Sequence, residues 1–301
     1  MQWPPSLILV TGAAGWLGSR LMECLLEGLP DSAACQPLPT TVRVRALVLP
    51  SEVAAVTGRW ANRVEVCPGD LRHPADCARF CDGAQGAVLF HTAGVIHPRR
   101  VAEFYAVNVT GTTDLLDAAV AAGVQRAVLV SSNSPCGCNP HPDHLFDEQS
   151  PYRPYLHYGR SKMLMELAAQ ARVHQIETVL VRAPWFYGPN QPARQTLFFK
   201  MIRRGTVPIV GGGRNLRSMA YVDNLCQGLV LAAAVERAAG RIYWMADRRP
   251  YSMNEIVDTV ERLLESEFGR PCAHRRWRLP GWISRLAWLA DATLQSVGLY
   301  H

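Results

Sequence analysis

No uninterrupted apolar run in this chain reaches the ~18–20 residues that a bilayer-spanning helix requires. The nearest approach, residues 279–300, is broken by Arg285 and Asp291. No cluster of Lys and Arg is dense enough to mark a nucleic-acid footprint, although the net charge is +6. The closest, Arg275-Arg276-Trp277-Arg278, reads as a solvated rim or an anion-facing edge. Internal repeats and low-complexity tracts are also missing. Nine cysteines form an odd, scattered set, and Met1-Gln2-Trp3-Pro4-Pro5 leads into a strand rather than a signal peptide. Reduced thiols in a cytoplasmic protein are therefore expected. What remains is a globular chain of 301 residues, 49% apolar and 19% charged, long enough for one large α/β unit and a smaller one.

Leu7-Ile8-Leu9-Val10-Thr11 has the continuous apolar character of a buried parallel strand. A glycine turn and an amphipathic helix carrying Leu17, Leu21, Leu25 and Leu26 follow. Residues 28–41, rich in Pro, Ala and Ser, read as an exposed loop. Further strands are expected at 42–49, 64–67, 87–91, 126–131 and 178–182, and helices at 101–122 and 154–174. Strands alternating with helices predict an α/β fold, a doubly wound parallel sheet covered on both faces. After Arg182 prolines and the 211–213 glycine run break the rhythm, which marks a smaller substrate lobe. A helix at 221–234 and a strand at 241–246 return to the sheet, so the lobes interleave. The expected division is 1–183 with 219–247 for dinucleotide binding, and 184–218 with 248–301 for substrate.

Three features carry chemistry. Gly12-Ala13-Ala14-Gly15-Trp16-Leu17-Gly18 places a tight turn and a helix N-terminus after the first strand. Unpaired N–H groups there suit a pyrophosphate, and glycine lets the backbone approach it. The spacing is G-x-x-G-x-x-G rather than G-x-G-x-x-G, and such a turn is often only a turn. The tip of the second strand, Leu49-Pro50-Ser51-Glu52, offers no base where a 2′-phosphate would land, which leans the choice between NAD and NADP toward NAD. Finally, Ser132 closes a strand, and Tyr158 and Lys162 stand four apart on one helical face. A phenol near pKa 10 is a poor base, and a neighbouring ammonium is expected to bring it toward the working range. Lys162 would also hold the nicotinamide ribose. The bland alternative, a surface Tyr/Lys pair, is countered by the order of the three features.

Together with Gly69-Asp70-Leu71, His91-Thr92-Ala93-Gly94, Val107-Asn108-Val109-Thr110-Gly111-Thr112, Arg182-Ala183-Pro184-Trp185-Phe186-Tyr187-Gly188-Pro189 and Tyr221-Val222-Asp223-Asn224, these motifs cover nearly the whole chain. It resembles the extended short-chain dehydrogenases/reductases, the superfamily of NAD-dependent epimerases/dehydratases and 3β-hydroxysteroid dehydrogenases. The resemblance implies a Rossmann-type fold. It assigns Ser132, Tyr158 and Lys162 to catalysis, and Gly12, Gly15, Trp16, Leu17 and Gly18 to the cofactor. It places Asp70 and Leu71 at the adenine, Thr92, Ala93, Gly94 and Asn108 along the cofactor, and Pro184 near the nicotinamide. It puts Asn133, Trp185 and Arg217 on the substrate side and implies a homodimer through the helices at 101–122 and 154–174. Asn133-Ser134 stands where 4,6-dehydratases carry Asp-Glu, so dehydration is not expected. Trp185 replaces an Asn usual in nucleotide-sugar epimerases, which suggests a greasier substrate. Arg217 matches the epimerase arginine that binds a sugar-nucleotide diphosphate, with a structural ion pair between lobes as the alternative. Many relatives extend beyond the position of His301, so part of the lobe is expected to be uncovered.

Two segments invite other chemistry. Cys136-Gly137-Cys138-Asn139-Pro140-His141-Pro142-Asp143-His144 is rich in metal-ligand types but lacks zinc-site spacing, and no metal is expected. The apolar stretch at 280–289 is expected to pack on the small lobe, with contact to a membrane surface as an alternative. The expected activity is NAD(P)-dependent hydride transfer between nicotinamide and a secondary alcohol or ketone on a small hydrophobic, hydroxysteroid-like molecule. A nucleotide-sugar 4-epimerase with tightly bound NAD is the second reading, and a dinucleotide-sensing regulator without turnover the third.

Overall fold

The computed structural model describes residues 3–30, 32–141 and 143–300. Met1 and Gln2 of the N-terminal lead-in, and Pro142 of the 136–144 loop, lie outside them. The first half runs β1 (Leu7–Thr11), α1 (Trp16–Leu26), β2 (Arg43–Val48), α2 (Val53–Trp60), β3 (Val64–Pro68), α3 (Pro74–Cys81) and β4 (Val88–His91). Then come α4 (Val101–Tyr105), a π-helical segment (Ala106–Gly111), α5 (Thr112–Ala121), β5 (Arg126–Ser132), α6 (Leu156–Gln170) and β6 (Glu177–Ala183). The second half is finer grained: β7 (Trp185–Tyr187), α7 (Ala193–Arg204), β8 (Pro208–Val210), β9 (Leu216–Arg217), β10 (Met219–Tyr221) and α8 (Val222–Ala234). It ends with β11 (Ile242–Trp244), β12 (Tyr251–Ser252), α9 (Met253–Ser266), β13 (Trp277–Leu279) and α10 (Ile283–Ser296).

Seven strands form one sheet in the order β11-β6-β5-β4-β1-β2-β3, each pair parallel. β1 explains why the sheet is covered twice. Ile8 and Val10 point into a core shared with α1 and α8, while Leu7 and Leu9 point into one shared with α3, α5 and α6. Successive side chains of a strand face opposite ways, so a continuous apolar run needs two cores. Each fully buried Leu or Ile contributes roughly 1.5–3 kcal/mol. Strand order reverses between β1 and β4, and the strand ends there open the crevice where such folds bind ligands. α8 packs on α1, and β11 joins the sheet beside β6. The remaining elements build a smaller lobe from three strand pairs, β10–β7, β12–β9 and β13–β8, around Ile202, Val207, Ile209 and Val257.

Three expectations need correction. The helix at 101–122 is interrupted by the π-segment, where Gly111 lets the loop after β3 come close. A Cβ on Gly111 would lie 2.9 Å from the Leu71 Cβ. The 28–41 loop is not simply exposed, because Leu29, Cys35 and Leu38 are buried in the core shared with α1. And α10 does not pack along the small lobe. Its middle is exposed, with Leu286, Trp288 and Leu289 open to solvent, and its far end rests against α6.

Candidate active site

Close backbone packing fixes the glycine turn. Gly12 has φ +75°, and a Cβ there would meet Ala93 N at 2.7 Å; one on Gly18 would meet Gly12 O at 2.0 Å. Both positions therefore hold backbone against backbone, which only glycine permits. No side chain caps α1, so the first N–H groups of the helix, from Trp16, Leu17 and Gly18, lack an intrahelical acceptor. The crevice's other wall is the β4 exit, where Thr92 Oγ1 donates to Thr11 O at 2.7 Å. Trp16 braces the mouth: its Nε1 donates to Pro189 O at 2.7 Å, and its ring lies 4.6 Å from that of Phe186. At the β2 tip Glu52 folds back to accept from Leu49 N at 3.2 Å, which brings a carboxylate to the place where sequence spacing left none. Leu71 is buried beneath the π-segment, while the Asp70 carboxylate pairs with Arg72.

Asn108 is engaged by backbone and α6. Its Oδ1 accepts from Val95 N at 2.8 Å, and its Nδ2 donates to Val95 O and Ser161 Oγ. The π-segment thus ties the β4 exit loop to α6. Across that tie a Cβ on Gly94 would sit 3.6 Å from Lys162 Nζ, so the ammonium borders the crevice. Lys162 donates to Val130 O at 2.8 Å. Burial lowers its pKa to about 8, against the pull of Glu166 one turn along α6. Glu166 is itself held by Arg182, Ser131 and Tyr152.

Ser132 Oγ lies at the β5 tip, 3.2 Å from both Asn133 Oδ1 and Ser134 Oγ. Its hydroxyl also acts on the Tyr158 phenol. Burial pushes that phenol up to about 12, with the Ser132 hydroxyl pulling down and Tyr300 pushing further up. The expected activation by Lys162 is thus not present in the protein alone. Desolvation drives the phenol up and the amine down, so each favours its neutral form. NAD, when bound, supplies two-electron redox chemistry and, oxidised, a positive pyridinium ring. The residues here offer a hydroxyl pair that can hold and exchange a carbinol proton, and an amine beside the glycine crevice.

On the substrate side Pro184 joins β6 to β7, and Trp185 packs edge-on against Phe198 at 5.2 Å. The Arg217 guanidinium lies over the Trp185 ring at 5.2 Å. Among the described residues no carboxylate pairs with Arg217, so the expected alternative of an interlobe ion pair is not realised. No group of residues suited to a metal occurs among the described residues; in the 136–144 loop Asn139 bonds His144 instead.

Several supporting residues escaped sequence reasoning. Arg20 clamps Asp223 with bonds of 2.6 and 2.8 Å, which gives the 221–224 motif its role of seating α8 on α1. Asp247 accepts from Tyr187, Tyr221 N and Tyr251, joining β7, β10 and β12. His91 bridges Thr11 Oγ1 at 2.7 Å and Thr112 Oγ1 at 2.9 Å. Partners 80 or 203 positions apart leave no local pattern to read.

Comparison with known proteins agrees with this geometry. The model of the NAD dependent epimerase/dehydratase family matches residues 8–246. An uncharacterized protein y4nL of Sinorhizobium fredii is 53% identical over 98% of this chain and 83% of its own length. A 3 beta-hydroxysteroid dehydrogenase/Delta 5-->4-isomerase of Mycobacterium tuberculosis is 30% identical over 91% of this chain and 75% of its own. The solved structure of DesIV, a dTDP-glucose 4,6-dehydratase of Streptomyces venezuelae with NAD and TYD bound, is 28% identical. It aligns with a TM-score of 0.70 over 93% of this chain and 90% of that one. The chain is therefore an enzyme of the NAD-dependent epimerase/dehydratase family, with NAD as its cofactor.

Proposed function

We propose that the enzyme catalyses reversible, NAD-linked interconversion of a secondary alcohol and a ketone on a small hydrophobic, hydroxysteroid-like substrate. The observation that carries the reaction is the Ser132 hydroxyl acting on the Tyr158 phenol, with Lys162 beside the cofactor crevice at Gly94. Tyr158 takes or returns the hydroxyl proton, Ser132 holds the oxygen, and Lys162 anchors the ribose. Asn133 and Ser134 follow Ser132, and among the described residues no carboxylate bears on the phenol, so a second acid for water loss is lacking at this point. The Trp185–Phe198 wall favours a hydrophobic substrate. Mixing the protein with NAD and pregnenolone should raise absorbance at 340 nm. No change with any hydroxysteroid and NAD, nor with any ketosteroid and NADH, would sink this reading.

One observation favours a nucleotide-sugar 4-epimerase as the second reading. Arg217, with no carboxylate partner among the described residues, is suited to a diphosphate. An epimerase would interconvert UDP-glucose and UDP-galactose without net change at 340 nm. We further propose the division 1–183 with 219–247 against 184–218 with 248–301, and a homodimer through α4, α5 and α6. Nine free cysteines, seven of them buried, fit a cytoplasmic setting. No helix among the described residues is long and apolar enough to cross a membrane.

A further inference from the structure

We propose that residues 295–300 form a wall of the active site, in which Gln295 positions the catalytic helix and Tyr300 faces the substrate. The substrate-facing part rests on the oxidoreductase reading above; the positioning part does not.

The segment is pinned by two backbone hydrogen bonds to the loop that leaves the cofactor crevice. Val101 N donates to Gly298 O at 3.0 Å, and Tyr300 N donates to Arg99 O at 3.2 Å. Between them Arg100 and Leu299 form an antiparallel bridge. That loop starts at Gly94 and Val95, the residues that Asn108 holds and that border Lys162. The tail therefore closes a strap over the β4 exit from the far side.

Its other attachment is to α6. Leu156 takes φ +51°, which turns the chain abruptly into the catalytic helix. The next amide, His157 N–H, belongs to the first turn and has no intrahelical acceptor. Gln295 Oε1 accepts it at 3.2 Å, while Gln295 Nε2 donates to Asp291 Oδ1 at 3.0 Å. Gln295 is buried in a helix whose middle is exposed, so this side chain helps to anchor α10. Tyr158 is the following residue. A cap one position before the catalytic phenol fixes where that phenol points.

Tyr300 then completes an aromatic series. Its ring meets Phe104 edge-on at 5.1 Å, and Phe104 lies 5.7 Å from the Tyr158 ring. The Tyr300 hydroxyl also reaches His97 Nδ1 at 3.4 Å, on the same loop. It acts on the catalytic group as well, since it is one of the influences that hold the Tyr158 phenol high. A ring so placed both bounds the space beside Tyr158 and affects its ionisation.

The protein with NAD tests this in five forms: unaltered, Gln295→Ala, Gln295→Glu, Tyr300→Phe and Tyr300→Ala. NAD affinity, read by tryptophan fluorescence, should change less than about twofold throughout, because the glycine crevice is untouched. Amide exchange in the peptide carrying His157 should accelerate about tenfold in Gln295→Ala and by less in Gln295→Glu, whose carboxylate still accepts the bond but meets the Asp291 carboxylate where the amide donated. Exchange in the 95–101 loop should accelerate by about as much in Tyr300→Ala and stay slow in Tyr300→Phe, which keeps the ring. In the pregnenolone assay Tyr300→Ala should raise KM more than it lowers kcat. Both Tyr300 variants should shift the rate's dependence on phenol ionisation to lower pH. Unchanged exchange in Gln295→Ala and Tyr300→Ala overturns the proposal, whatever the substrate. Altered exchange with pregnenolone inert in every form sinks the steroid reading and leaves the strap standing. Altered exchange with an unmoved KM and pH profile limits residues 295–300 to structure and removes Tyr300 from the substrate.

Discussion

At the scale of single residues, Tyr158 and Lys162 show that the right side chains do not by themselves make a base. Spacing put them on one helical face, but only the folded environment sets their ionisation. In the proposed mechanism, replacing the phenol by Phe removes the proton carrier while sparing Lys162 and the glycine turn. Turnover in Tyr158→Phe should fall by roughly 10²–10⁴-fold with NAD affinity unchanged, which steady-state rates and fluorescence titration would check. Near-normal turnover would show that another group moves the proton. Lys162 carries a stability cost of the opposite kind. Its folded pKa of about 8 lies below the ordinary 10.5, so the unfolded chain binds the extra proton between those values. The penalty for charging it is complete below pH 8 and disappears as pH rises toward 10.5. A shift of that size corresponds to on the order of 3 kcal/mol. Lys162→Met should therefore be inactive yet more stable than the parent at pH 7, with the gap narrowing above pH 8. Urea unfolding of both proteins across that range measures it, and a parent that is more stable at pH 7 contradicts the argument.

Elements meet at His91. It ends β4, touches the end of β1 through Thr11, and touches α5 through Thr112, so one imidazole fastens three elements beside the crevice. Burial, reinforced by the nearby Lys162 charge, drives its pKa down to about 3. The depressed value fixes the sign. The unfolded chain takes up a proton near pH 6.5 and the native protein does not, so stability is present above 6.5 and is lost as pH falls toward 3. The loss attributable to His91 reaches on the order of 4 kcal/mol. His91→Gln, which cannot be protonated, should flatten that part of the acid limb in a series of urea midpoints. An equally steep limb would assign acid sensitivity to the carboxylates instead. The same residue shows what element-level reading misses. Strand β4 was visible in its apolar run, but the partners that make its last residue structural come from distant parts of the chain. The π-segment was hidden differently. Residues 101–122 keep a helix-like apolar spacing, and one widened turn in the middle does not disturb the pattern enough to be read.

For the whole molecule, the legible part was what local chemistry dictates. β1 with its glycine turn, the Ser132 strand tip and the Tyr158–Lys162 helix each carry their signal within a few residues. What was illegible depends on tertiary placement: Leu29, Cys35 and Leu38 buried in an apparently polar loop, Arg20 on Asp223, and the tail beside Tyr158. Assembly belongs to the same class, because it turns on which face of a helix stays uncovered. Along α6, Ser161, Lys162, Met165, Glu166 and Ala169 point inward. Arg160 and Leu167 are exposed on the outward side, with Met163 and Leu164 half-buried between them. Leu167 leaves 41% of its surface open, in a helix joined to α5 by apolar packing and, just past its end, by the Arg172–Asp117 pair. An apolar outward face on a helix pair buries itself most simply against its own copy, by an isologous contact. Sedimentation at micromolar concentration should therefore give a dimer, and Leu167→Glu should shift it to monomer, since two carboxylates would face each other across the axis. Leu167 lies beyond Lys162 on the outward side of the helix, so NAD binding by the monomer should persist. A parent protein that sediments as a monomer removes the dimer, and a Leu167→Glu protein that remains dimeric moves the contact to another face.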